Sequence, residues 1–280
     1  MLHSLEHPHW RGQLRLSFAH RFGRTVLERR EHSGPLLVQR PLYPEGAAVC
    51  HVILLHPPGG LVQGDELSVE VTLHPGSRAV LTTPGAAKWY RSTGAPAASA
   101  LEFHLQGDAT LEWLPRENIV FDGARVRSRL RVGLSGQARF MGWEILSLGR
   151  RASGERFACG QLDLLSRIER DGRPIWLEVA SLDPVCGFLE SPAGLAGYPV
   201  FGTFVIANAA ISDPLLRLCR ELAAPLGDCR TGITRMPALC VARYVGHSAE
   251  DAFGWFASLW GALRPELLGL APMPPRIWAC

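Results

Sequence analysis

Lysine is almost absent from this 280-residue chain: of 29 cationic side chains, 28 are arginine and one, Lys88, is lysine. Scarcity alone is a compositional habit. The one survivor sits in Ala87-Lys88-Trp89-Tyr90-Arg91, where an ammonium either has a local task, such as pairing with a nearby carboxylate, or persists by chance. Paired cysteines are also missing. The seven cysteines (Cys50, Cys159, Cys186, Cys219, Cys229, Cys240 and Cys280) are odd in number and form no CxxC. This argues against a disulfide framework or zinc knuckle and fits a reducing, cytoplasmic setting, with most thiols buried among apolar neighbours. No apolar run approaches the roughly 18 residues of a membrane span, and the N-terminus has no apolar signal core; neither a membrane nor secretion is expected. A net charge of +3 is too weak to imply nucleic acid. G-x-S-x-G and H-E-x-x-H are both missing, which removes two familiar catalytic signatures.

What is present is a 47% hydrophobic chain, enough for a sizeable core, with strand patterning over most of its length. Residues 1–11, rich in histidine (His3, His7, His9), read as a flexible tail. Residues 13–19 and 24–30 read as short strands around Gly23, and 35–44, broken by prolines, as an edge or connection. Residues 49–55 form a nearly continuous apolar run, a buried strand, ended by Pro57-Pro58-Gly59-Gly60. Leu67, Val69, Val71 and Leu73 then alternate with Ser68, Glu70 and Thr72, as a half-buried strand does. The rhythm continues through 79–83, 101–105, 109–113, 130–134, 141–145, 162–168 and 175–179, with Asp171-Gly172 as a hairpin turn, and then 200–207. Such spacing predicts an all-β, solenoid-like body of many short strands, although no fixed-length repeat is written in the residues. The whole chain, 1–280, reads as one domain.

Two helices are expected late. Asp213 can cap the first, with Pro214 at its opening position and Leu215, Leu218, Cys219 and Leu222 on one face. Pro225 and Gly227 end it, and a strand at 238–245 follows. Ser248 and Asp251 form a capping box for the second. There Phe253, Phe256, Trp260 and Leu263 recur at helical spacing, Trp255 and Leu259 widen the stripe, and Pro265 ends the pattern. The stripe is wider than one core-facing side needs, so Trp255, Phe256 and Trp260 are candidates either for internal packing or for anchoring a partner.

The polar residues divide similarly. The turn Gly59-Gly60-Leu61-Val62-Gln63-Gly64-Asp65 lacks the G-K-[ST] ending of a phosphate loop, and no helix follows, so its glycines read as conformational. Cys50, His51 and His56 are the densest soft ligands, but strand alternation turns His51 away from the other two. Glu112, Glu117, Glu144 and Glu178 lie on or beside predicted strands. They are either a carbohydrate-active hydrolase's paired carboxylates or solvated faces and ion pairs to arginine.

The segments GRTVLERREHSGPLLVQRPLYPEG, CHVILLHPPGGLVQGD, LTTPGAAKWYRS, WLPRENIVFDGA, GWEILSLGRRASGERF and the C-terminal RYVG, LRPELLG and PRIWAC together resemble the urease accessory protein family UreD, also called UreH. They occur in the family's order and cover nearly the whole chain. Arg116, where the family pattern leads us to expect glutamine, and Cys280, where it leads us to expect threonine, depart from it. The resemblance implies an all-β, β-helical protein with two C-terminal helices and no catalytic centre. It further implies a scaffold that joins UreF and the GTPase UreG on apo-urease and passes nickel, as a transferred ion, to the enzyme. Gly59, Gly60, Gly64, Thr82, Thr83, Lys88, Tyr90 and Glu117 carry the motif match. Asp65, Glu144 and Glu178 are the candidate nickel path, with Asp65 the best single guess for metal.

Overall fold

The computed structural model describes residues 9–222, 225 and 227–279. His3, His7 and Cys280 lie outside the described residues. The chain opens with a hairpin of β1 (Arg11–Arg21) and β2 (Arg24–Ser33), turned at Phe22 and Gly23, both at positive φ. A two-residue edge strand follows, β3 (Leu37–Val38), in the proline-broken segment.

From there the backbone coils. Each coil contributes one strand to a first sheet, a short strand beyond it, and one strand to a second sheet. The coils are β4 (Val49–Leu55), β5 (Gly60–Leu61) and β6 (Glu66–Leu73); β7 (Arg78–Thr82), β8 (Ala87–Trp89) and β9 (Ala97–Leu105); and β10 (Thr110–Trp113), β11 (Asn118–Val120) and β12 (Arg125–Leu134). β13 (Arg139–Leu148) and β14 (Gln161–Arg170) continue the stack, and β15 (Arg173–Leu182) returns antiparallel to β14 through Asp171-Gly172, both at positive φ as a primed two-residue turn requires. β16 (Val200–Ala207), helix α1 (Asp213–Glu221), β17 (Cys229–Met236), β18 (Leu239–Gly246) and helix α2 (Ala249–Leu268) complete the chain.

The result is a β-solenoid-like body. A seven-stranded sheet runs β15-β14-β12-β9-β6-β1-β2, and an eleven-stranded sheet has β17-β18-β16-β13-β10-β7-β4-β3 as its main path. Val49, Arg78, Thr110 and Arg139 stack in register, at intervals of 29, 32 and 29 residues. The unequal coils explain why no fixed repeat is legible in the residues.

The two strand patterns have a simple cause. The seven-stranded sheet faces solvent on one side, so β6 buries Val69, Val71 and Leu73 while Ser68 and Glu70 face out. The eleven-stranded sheet is covered on both sides, so β4 is apolar but for His51 and is buried along nearly its whole length. Cys50, Val52 and Leu54 face the core between the sheets, and Val49 faces the core beneath the helices.

Several expectations need correction. Residues 9–11 are not a loose tail: Trp10 donates its backbone N–H to Asp65 and Arg11 starts β1. Helix α1 is capped by Ser212, not Asp213, and buries Leu215, Leu216 and Cys219, leaving Leu218 46% exposed. Helix α2 begins at Ser248 as expected, its hydroxyl accepting from the Asp251 N–H, but it runs through Pro265 to Leu268, with Gly269 as a left-handed cap. β17 carried no sequence signal, because an edge strand exposed on both faces shows no apolar alternation. Of the thiols, Cys50, Cys219 and Cys240 are buried, whereas Cys159 and Cys186 are exposed.

Candidate functional site

The glycine turn is a structural device. Gly59 (φ +73°) and Gly64 (φ +77°) take left-handed conformations. A Cβ on Gly60 would lie 2.3 Å from the Tyr90 ring and 2.9 Å from the Lys88 carbonyl; one on Gly64 would meet the His9 ring. Asp65, buried, accepts from the Val62 N–H at 2.9 Å and the Trp10 N–H at 3.0 Å. Its carboxylate is thus occupied in holding the turn, away from the other two candidate nickel residues. The threonines continue this stapling: Thr82 donates to the Leu114 carbonyl at 2.6 Å and accepts from Trp278, and Thr83 accepts from the Arg116 N–H. Tyr90 stacks edge-on against Phe121, and the Glu117 carbonyl accepts from the Ala87 N–H. Lys88 is exposed on β8 and makes no side-chain hydrogen bond or ion pair with the described residues, so the expected pairing with a nearby carboxylate is not formed among them.

The partner-interface candidates are also corrected. Trp255, Phe256 and Trp260 are 4%, 0% and 1% exposed. They pack with Trp143, Phe204 and Trp278 against the outer face of the eleven-stranded sheet, because the helix covers a sheet face that is itself apolar. The helix carries one charge inward. Arg264 donates to Glu112 (Nε to Oε2, 2.9 Å) and to Glu45 (Nη2 to Oε1, 2.7 Å), while Trp260 Nε1 donates to Glu112 and His51 meets Glu45 at 2.5 Å. Burial pushes the Glu112 carboxyl up against the pull of Arg264, whereas for Glu45 hydrogen bonds from His51 and Arg264 outweigh burial and hold it down. The two carboxylate partners of Arg264, at positions 45 and 112, lie far from it in the chain, and no local pattern could have revealed them.

Glu144 and Glu178 are brought together. Glu144 on β13 and Glu178 on β15 both point into the space between the two sheets, where they line a cavity of about 70 Å³ with Leu130, Phe140, Ile168 and Trp176. That volume holds about two waters or a partly hydrated ion. Arg243, half exposed at its side, donates to Glu178 at 2.5 Å and to the Thr203 hydroxyl at 3.1 Å. Glu144 has only a long contact, 3.5 Å, from the Ser128 hydroxyl. Burial first, and the Glu178 charge second, push its carboxyl up to about 7. Two carboxylates and the Thr203 hydroxyl therefore face one small space with largely apolar walls, and Arg243, which also lines it, already bonds Glu178 and Thr203.

Comparison with known proteins decides the family. A family model described as UreD urease accessory protein matches residues 10–279. The chain belongs to the UreD family. It is 48% identical over 274 residues to the urease accessory protein UreD of Dechloromonas aromatica (strain RCB), covering 97% of this chain and 95% of that protein. The UreD proteins of Azoarcus sp. (strain BH72) and Pseudomonas aeruginosa (strain PAO1) are 46% identical over 277 residues and 47% identical over 274; coverage is 99% and 98% of this chain and 96% of each of theirs. As a UreD-family member the chain is an accessory protein of urease maturation rather than an enzyme. The two inward carboxylates are therefore not read as a hydrolase's acid and base. No described helix is long and apolar enough to cross a membrane.

Proposed function

We propose that this chain acts in the cytoplasm as a maturation scaffold that joins UreF and the GTPase UreG on apo-urease, and that the cavity between its sheets passes nickel to the enzyme. The observation that carries the reading is the pair Glu144 and Glu178, facing one cavity inside a body whose remaining wall is mostly apolar. Glu178 is paired with Arg243, but Glu144, with only its long contact to Ser128, is a costly carboxylate to bury between the sheets. A transferred divalent cation gives the pair a purpose, and weak, incomplete oxygen coordination releases the ion where a closed cage would trap it. The family membership supports urease maturation as the setting.

The test is the double variant Glu144→Gln/Glu178→Gln, which keeps shape and removes the charge. It is expected to assemble normally with UreF, UreG and apo-urease while the matured urease contains less nickel. Unchanged nickel content in urease matured with this variant refutes the path. Asp65 does not belong in that variant, since its loss would open the glycine turn.

A further inference from the structure

The strand that turns Glu178 inward turns Leu177 and Val179 outward, 60% and 67% exposed. β15 is the free edge of the seven-stranded sheet. A long apolar edge strand is a docking liability unless something covers it. Pairing register extends the surface inward from that edge. Val179 lies beside Leu165 of β14 and then Arg129 of β12; Leu177 lies beside Arg167 and then Arg131. Arg127 continues the row on β12. Arg127, Arg129 and Arg131 are all exposed, two residues apart on one face, and make no side-chain hydrogen bond or ion pair with the described residues. The acidic groups beside them have other partners: Glu102 of β9, next to Arg131, meets His104; Asp163 of β14, next to Arg127, accepts from Ser181; and Glu169 pairs with Arg167. Three apolar side chains at a sheet edge, bordered by three free guanidinium groups, make a surface with an apolar centre and a cationic rim.

We infer that this outer face of β12, β14 and β15 is a protein-docking surface for a partner segment with apolar anchors flanked by aspartate or glutamate. Charge complementarity selects the partner: the free arginines call for carboxylates, and arginine is enriched at protein interfaces. A single-stranded nucleic acid fits less well, because it is held by exposed aromatics as well as by cations, and the rows of this patch contain none. The inference rests on reading the chain as a member of the maturation assembly, but not on nickel transfer. Because Glu178 projects from the opposite side of β15, a partner seated there would lie directly against the cavity strand.

The experiment compares two surface variants, Arg129→Glu/Arg131→Glu and Leu177→Ser/Val179→Ser, with the wild-type chain. The probe is a purified mixture of apo-urease, UreF and UreG, and circular dichroism and thermal midpoint confirm folding. Each variant is expected to keep its midpoint and to weaken assembly by at least about tenfold, with wild-type binding falling as salt rises. Folded variants that assemble as well as a wild-type chain that does assemble overturn the docking face alone, whereas a wild-type chain that binds none of the three overturns the scaffold reading. Tighter binding of the wild-type chain to a single-stranded RNA than to the mixture, or a self-dimer abolished by Leu177→Ser/Val179→Ser, also overturns the choice of partner.

Discussion

The Arg264 guanidinium, fully buried in helix α2, clamps both carboxylate oxygens of Glu112 on β10, with Nε 2.9 Å from Oε2 and Nη2 3.1 Å from Oε1. The fork joins the C-terminal helix to the central coil of the solenoid. Glu45 takes the remaining edge of the guanidinium. Removing the arginine leaves two carboxylates without their cation in a dry site. Arg264→Ala is expected to destabilise the fold by about 3–5 kcal/mol, measured by denaturant unfolding. Glu45, held below the usual carboxylate range, adds stability that is present above its unfolded pKa and is lost as pH falls through its lower folded value. Acid should therefore loosen α2, visible as a tryptophan fluorescence change.

Glu144 has the opposite sign. Its carboxyl is raised from 4.5 to about 7, so its contribution is fully present below the unfolded value and is lost as pH rises through about 7. Glu144→Gln is expected to leave stability nearly unchanged at about pH 5 and to raise it at about pH 8, by at most about 3 kcal/mol. Equal effects at both ends of the range would show that the cavity solvates the ionised carboxylate.

The glycine turn should respond in order of crowding. Gly59→Ala meets no neighbour and is expected to cost about 1–2 kcal/mol, the penalty of a left-handed residue. Gly60→Ala drives a methyl into Tyr90 and the Lys88 carbonyl and is expected to cost about 1–3 kcal/mol. Gly64→Ala adds to the left-handed penalty a methyl that the exposed His9 ring must move to admit, and should cost more than Gly59→Ala. Thermal midpoints of the three variants give the ranking.

Lys88 and Trp255 invite a contrast of exposed and buried positions. Lys88→Ala should change stability by no more than about 0.5 kcal/mol, so any loss of urease activation in that variant reports a contact made outside this chain. Trp255→Ala empties a packed site and should cost about 3–5 kcal/mol. A variant that kept full stability would contradict the packing of α2 on the sheet.

Much of the architecture was written locally. Alternation in β6 and β9, the Asp171-Gly172 turn and the Ser248 cap each depend on neighbours along the chain: side chains alternate across a strand, primed turns need positive φ, and a cap hydroxyl reaches three residues ahead. The late position of the helices and the coiling body are therefore sequence properties. The site was not. Which way Glu144 faces depends on the pairing of β13 with β10 and β16, and its meeting with Glu178 depends on the closure of two sheets. The aromatic stripe of α2 showed one amphipathic helix but not that the opposing sheet face was also apolar, and so buried Trp255. Lys88 stood out by its rarity, yet that no described residue pairs with it is a fact of distance. Periodicity reports which side of an element is apolar; only the tertiary structure decides what lies across from it.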